Sequence, residues 1–336
     1  MRLLVLGGTA WLGREVAAAA VSRGHEVTCL ARGSSGDVPA GARLVRADRD
    51  RTDAYDLVAA ERWEAVVDVA RQPGHLRRAA ASLEPAAGRF LFISSGNVYA
   101  SQRELDDDED ATLLPPLESD VMESMEQYGQ AKVAGEQAVT GAFGAGRTFI
   151  ARAGPIGGPG DSSGRSGYWP WRFARPSNRQ AAVLVPAAPD VPTAVIDVRD
   201  LATWLVSCAE AGTAGVFNAA GDPLPLADHL AEARAVAEHT GPLVNAPGDW
   251  LAHHGVRSWS GPRSLPLWLD DRESYGMNAR DNTRARAAGL VSRPLEQTLT
   301  DTLTWELARP EPGPHGAGLT DAVERKLLDA LTSTIQ

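Results

Sequence analysis

An apolar run at residues 3–6 leads directly into Gly7, Gly8, Thr9, Ala10, Trp11, Leu12 and Gly13, and a helical pattern follows over residues 12–22. Few chains can fold around such an opening. Glycines at a strand-to-helix turn let backbone N–H groups and a helix N-terminus come close to an anionic ligand. The same spacing also suits a plain tight turn, so the surrounding pattern has to decide. That pattern is alternating. Strand-like runs at residues 26–31, 43–47, 65–70 and 89–94 are separated by helical stretches, and a helix over 125–140 followed by a strand over 147–152 continues the series. Short buried strands separated by helices predict right-handed crossovers and an α/β, doubly wound parallel sheet of Rossmann type.

Residues 1–157 read as this nucleotide-binding domain. A Gly-, Pro- and Ser-rich stretch at 154–167 marks its end, and residues 158–336 read mainly as a smaller substrate-binding domain with C-terminal helices. Two apolar runs, 194–198 and 215–218, look like sheet strands, so segments near 194–220 return to the first domain and the second is discontinuous. Seven of the nine tryptophans lie beyond residue 158. Tyr168, Trp169, Trp171 and Phe173, with Trp250, Trp259 and Trp268, suit either an apolar, ring-containing substrate or the core of the small domain.

Charge and cysteine content narrow the setting. With 33 basic and 43 acidic residues the net charge is −10, which argues against a nucleic-acid backbone as partner. Two cysteines without CxxC spacing, no 18-residue apolar stretch and no signal-peptide pattern predict a cytoplasmic chain with no membrane partner. The seven histidines give no metal signature. The acidic run 104–110 reads as a solvated loop or a lid. The tail 319–331 offers an apolar helical face to the body of the chain or to a second subunit in a homodimer.

At the end of the second strand stand Ala31, Arg32, Gly33, Ser34 and Ser35, with no acid to hold a ribose 2′-hydroxyl. Arg32 and Ser34 could receive a 2′-phosphate, which favours NADP over NAD, although a solvent-facing arginine would look the same. Asp48 is positioned either to approach an adenine edge or to cap the next helix. Tyr128 and Lys132 are four apart on one helix face, and a nearby ammonium stabilises a phenolate. Taken alone, that pair is also what an exposed helix would carry. Ser95 closes the fifth strand, at the sheet edge where ligands of such folds bind, and its hydroxyl can donate to a substrate carbonyl.

Together these residues resemble the extended short-chain dehydrogenases/reductases of the NAD(P)-dependent epimerase/dehydratase type. The resemblance rests on residues 6–13, Asp48, the strand ending at Ala70, Ser95 with Val98 and Tyr99, Tyr128-x-x-x-Lys132, and the run 198–202. It implies Tyr128 as catalytic acid/base, Lys132 lowering its pKa and binding the nicotinamide ribose, and Ser95 polarising the substrate. The dehydratases of this type carry an Asp-Glu pair after the Ser/Thr position. Here Gly96 and Asn97 stand there, and neither exchanges protons at neutral pH. The usual sugar-nucleotide diphosphate anchors are replaced by Pro155 and Thr193, with Arg165 and Arg172 either substituting for them or lying solvated in a loop. The sequence thus favours an NADP(H)-dependent oxidoreductase acting on a small-molecule carbonyl or secondary alcohol. A sugar epimerase holding its cofactor tightly, and a non-catalytic dinucleotide sensor or RNA-associated protein, are the alternatives.

Overall fold

The structure, a computed structural model, describes residues 1–335 of the 336. Six strands, β1 (Arg2–Leu6), β2 (Glu26–Ala31), β3 (Arg43–Arg46), β4 (Ala65–Asp68), β5 (Phe90–Ser95) and β6 (Thr148–Ala153), are joined by the strand Gly215–Ala219. They form one seven-stranded sheet in the order Gly215–Ala219, β6, β5, β4, β1, β2, β3. Every neighbouring pair is parallel. The helices α1 (Trp11–Ser22), α2 (Asp56–Ala59), α3 (Pro73–Leu83) and α4 (Tyr128–Phe143) occupy the crossovers. This is the Rossmann-type doubly wound sheet expected from the alternating pattern. Strand order reverses between β1 and β4, and that reversal opens a crevice at the carboxyl ends of the strands.

The strands bury both faces, which is why they read as continuous apolar runs rather than alternating ones: Leu3 to Leu6 are each 0% exposed. Helix α1 buries Gly13, Val16, Ala17 and Ala20, the i, i+3, i+4, i+7 stripe of a helix laid on a sheet. Helix α3 opens on Pro73, where a missing N–H costs nothing. Leu4, Leu6, Val66, Phe90, Phe92 and Ile150 form a core with Leu76, Leu83 and Val139 from the helices.

Two compact units divide the chain. Met1–Gly154, Val198–Ala220 and Arg280–Val291 form the first, and Pro155–Asp197, Gly221–Ala279 and the chain from Ser292 onward form the second. The run at 194–198 is not a strand of the central sheet. Only Ile196–Asp197 is extended, pairing with Ile156–Gly157 inside the second unit, and the helix Val198–Ala211 begins immediately after. Its apolar character comes from burial of Ala194 and Ile196 in that unit.

The second unit has little sheet and fills its interior with large side chains. Tyr168, Trp169, Phe173 and Trp268 are at most 2% exposed, Trp171 is buried, and Trp250 and Trp259 pack against the same core. The aromatic set therefore builds the core of this unit, which removes it as an argument for an apolar or ring-containing substrate. Arg172 is no loop residue and no phosphate anchor. Fully buried on the helix Tyr168–Ala174, it pairs with Asp321 at 2.7 Å and Glu324 at 3.3 Å and donates to the Leu319 carbonyl at 2.6 Å. Arg165 lies over the Trp259 ring, 5.0 Å from its centroid. The last helix, Asp321–Ile335, packs on its own unit by burying Leu327, Leu328 and Leu331.

His229, on the helix Leu226–Val236, is 0% exposed, and neither ring nitrogen has a hydrogen-bond partner among the described residues. Burial pushes its pKa down to about 4. The unfolded chain binds this proton near pH 6.5, whereas the folded chain refuses it until about pH 4, so stability rises with pH across that window. Urea unfolding should therefore lose up to roughly 3 kcal/mol between pH 7 and pH 4 from this residue alone. His229→Leu should flatten that part of the profile; an unchanged pH slope in the variant would refute the assignment.

Candidate active site

The turn after β1 is built by close approach. Gly7 has φ +93°, and a side chain there would meet Val69 Cγ2 at 2.8 Å. A Cβ on Gly13 would run into the Gly7 carbonyl oxygen, and one on Gly8 into the Cys29 thiol. Ala10 needs no such freedom. It is the N-cap of α1 at φ −85°, ψ 158°, exposed, an ordinary extended conformation that a methyl group tolerates. Ala10 provides no side-chain cap for this helix, and the helix start at Ala10 lines the crevice, where an anion is favoured. Burial pushes the Cys29 thiol up to about 12 and the Cys208 thiol to about 11, so both are inert.

A cleft of about 720 Å³ opens beside this turn. Gly7, Thr9 and Ala10 line it from the turn, Arg32 and Ser34 from the end of β2, Asp48 from beyond β3, and Ala70 from beyond β4. Of the other residues expected there, Gly8 and Gly13 are buried beneath the turn, and Trp11 and Leu12 are half-buried in the first turn of α1. Asp48 does not cap the next helix, which begins at Asp56 with no side-chain cap; its carboxylate accepts the Asp50 N–H at 3.2 Å while lining the cleft. A glycine turn after β1, a guanidinium with a hydroxyl after β2 and a carboxylate after β3 suit a dinucleotide.

Ser95, Tyr128 and Lys132 belong to the same unit. Lys132 is 3% exposed and donates to two carbonyls, Ala70 O at 2.8 Å and Ile93 O at 2.7 Å. Its ammonium nitrogen lies 4.8 Å from the centroid of the Phe92 ring and 5.7 Å from that of Tyr128. Burial pushes the ammonium below the ordinary lysine range, with Tyr128 and Asp68 opposing and Arg71 reinforcing the shift. Tyr128 is half-buried at the first residue of α4. Helix and strand end meet tightly: a Cβ on Gly129 would collide with the Asn97 carbonyl oxygen. The Ser95 hydroxyl donates to Asn97 Oδ1 at 3.0 Å and accepts the Asn97 N–H at 3.2 Å, so Asn97 sets its direction.

Two buried ion pairs that sequence reasoning missed flank Lys132. Asp68, 0% exposed at the end of β4, accepts Arg49 through both oxygens at 2.8 and 2.6 Å and also takes the Ala70 N–H at 2.8 Å. Glu136, one turn beyond Lys132, pairs with Arg152 at 2.8 Å and accepts the Ser94 hydroxyl at 2.5 Å. Arg152 reaches on to the Tyr99 hydroxyl at 3.1 Å, which donates to Asn218 at 2.5 Å. The signals were present. Asp68 ends an apolar strand, and Glu136 continues the i, i+4 face of Tyr128 and Lys132.

The acidic run 104–110 is largely the exposed loop expected, with Glu104, Asp106 and Asp110 exposed, but it departs from that reading at Glu109. Glu109 is buried, accepting the Asn218 N–H at 2.7 Å and pairing with Arg284 at 3.1 Å, while Asp107 pairs with Arg280 at 3.0 Å and Asp110 with Arg284 at 2.5 Å. Its charges answer arginines that lie some 170 residues away in sequence, so no local pattern could reveal them.

This fold and this site define a class: enzymes that bind a dinucleotide across the switch point of a parallel sheet. The chain matches the NAD dependent epimerase/dehydratase family over residues 3–85 and 76–220, and it belongs to that family, whose members are NAD(P)-dependent enzymes. A curated relative, 2'-dehydrokanamycin reductase of Streptomyces kanamyceticus, is 32% identical over 160 residues; the match spans 46% of this chain and 43%, less than half, of that protein. Two solved structures share the fold. UDP-N-acetylglucosamine 4-epimerase of Bacillus cereus superposes with a TM-score of 0.66 at 14% identity, covering 94% of this chain and 99% of that one. WbmH of Bordetella bronchiseptica, in complex with NAD+, gives 0.67 at 14% identity over 92% and 99%. Among the described residues no helix is long and apolar enough to cross a membrane.

Two outcomes follow from the packing. Gly13→Ala should abolish calorimetrically measurable dinucleotide binding, while Ala10→Gly should change affinity by less than about twofold, because only the first position is crowded. Glu136→Gln leaves Arg152 buried without a countercharge and should lower unfolding stability by about 3 kcal/mol. A change below about 1 kcal/mol in denaturant titration would mean that water reaches that pair.

Proposed function

We propose that this protein is an NADP(H)-dependent oxidoreductase that interconverts a carbonyl and a secondary alcohol on a small, ring-containing substrate. The observation that carries the reading is the Lys132 ammonium, held by the Ala70 and Ile93 carbonyls 5.7 Å from the Tyr128 ring and next to the cleft. The dinucleotide, when bound, supplies or accepts the hydride. Tyr128 gives its phenolic proton to the oxygen that develops negative charge, or withdraws it in the opposite direction. Lys132 stabilises the phenolate that remains, and its third N–H is left for a ribose hydroxyl. Ser95 turns its hydroxyl from Asn97 to the substrate oxygen and fixes its position.

Several features support reduction. Gly96 and Asn97 provide no acid/base pair for water elimination. The partial similarity to 2'-dehydrokanamycin reductase supports a ring ketone as substrate class. For the cofactor, Arg32 and Ser34 line the cleft at the end of β2 with no carboxylate between them, and a 2′-phosphate would meet a guanidinium there. Arg46 stands beside them: its guanidinium donates to the Arg32 carbonyl at 3.2 Å and lies against Gly33, which adds positive charge at the same end.

Tyr128→Phe should lower turnover about 10³-fold with NADPH affinity retained. Arg32→Ala should weaken NADPH about tenfold and leave NADH unchanged. Full turnover in the first variant would defeat the mechanism, and equal affinity for both nucleotides in the wild type would defeat the cofactor assignment. An epimerase, the main alternative, would instead be purified with NAD that dialysis does not remove.

A further inference from the structure

Four arginines line the cleft beside the glycine turn: Arg32, Arg49, Arg71 and Arg78. Two of them are engaged by the protein. Arg49 is bound to Asp68, and Arg78 donates to the Arg49 carbonyl at 2.8 Å. Among the described residues, Arg32 and Arg71 have no hydrogen bond or ion pair on their guanidinium groups. Both are exposed.

Their placement follows from the sheet. Leu6 of β1 pairs with Leu30 of β2 on one side and with Asp68 of β4 on the other. Arg32 and Arg71 therefore leave strands on opposite sides of the glycine turn, with strand axes about 10 Å apart. The backbone that carries Arg71 is fixed at the preceding residue, because the Ala70 N–H is held by Asp68 at 2.8 Å and the Ala70 carbonyl by Lys132 at 2.8 Å. Val69 packs on Gly7. Arg71 thus stands between the turn and the catalytic lysine, and its charge is among those felt by the buried Lys132 ammonium.

We infer that Arg71 is an anion-recognition residue on the side of the cleft nearer Lys132, taking a phosphate or carboxylate oxygen of the reacting pair while Arg32 serves the other side. An exposed guanidinium on a doubly anchored backbone is pre-organised for such an oxyanion, and a bidentate contact is the geometry it favours. The oxyanion belongs either to the cofactor diphosphate or to an acidic group on the substrate. The inference rests on the reading of the cleft as a dinucleotide site.

Calorimetric titration of the full chain and of its Arg71→Ala and Arg71→Lys variants tests it, with NADPH, NADH and adenosine 2′-phosphate as probes. Inorganic phosphate is then titrated into each NADPH-saturated protein. A loss of about tenfold for both NADPH and NADH in the Ala variant, partly restored in the Lys variant and absent for adenosine 2′-phosphate, assigns the oxyanion to the diphosphate. Unchanged nucleotide affinity with saturable phosphate binding that vanishes in the Ala variant assigns it to a substrate group. Equal behaviour of all three proteins, or an equal loss for adenosine 2′-phosphate, overturns the inference. Failure of the wild type to bind either dinucleotide would instead defeat the dinucleotide reading itself.

Discussion

The placement of one ammonium group governs the candidate site. Lys132, on α4, is buried with its charge answered by the Ala70 carbonyl just beyond β4 and the Ile93 carbonyl within the neighbouring β5. A buried cation that lost these acceptors would be expelled or neutralised. Helix α4, which packs on β5 and β6, can therefore dock in few ways, and that docking fixes Tyr128, one turn before Lys132, near the end of β5 where Ser95 stands. The tight contact of Gly129 with the Asn97 carbonyl reflects the same constraint from the backbone side.

Around this cation the protein arranges further charge in pairs. The Arg49–Asp68 and Arg152–Glu136 pairs are buried, and each is completed by hydrogen bonds that leave little polar capacity unmet. Buried pairs seldom add much net stability, because desolvation offsets most of the attraction. Their value here is positional. Asp68 holds the Ala70 peptide that in turn holds Lys132, and Glu136 ties α4 to β5 and β6 through Ser94 and Arg152. The acidic run around Glu109 extends the same logic to the strand Gly215–Ala219, where Arg284 compensates a carboxylate that would otherwise be stranded inside.

The cleft follows a different rule. Among the described residues its exposed Arg32 and Arg71 guanidinium groups have no protein partner, whereas Arg49 and Arg78 are hydrogen-bonded to the protein. The second unit, by contrast, keeps its aromatics inside and pairs its buried Arg172 internally. Large side chains do there what a sheet does in the first unit.

The sequence by itself determined the parallel sheet and the glycine turn, and it put Tyr128 and Lys132 on one helix face and Ser95 at a strand end. Each depends on local period or spacing: an apolar run of strand length, a glycine where backbones touch, four residues for one helical turn. Only tertiary structure decided that Glu109 is buried, that Arg172 is a core residue, that the aromatic set is core, and that the run at 194–198 is outside the central sheet. In each case the deciding partner is remote, as Arg284 is for Glu109 and Glu324 for Arg172. Whether a charge or a ring is solvated, paired or packed depends on what lies across space, and a one-dimensional pattern carries no record of that neighbour.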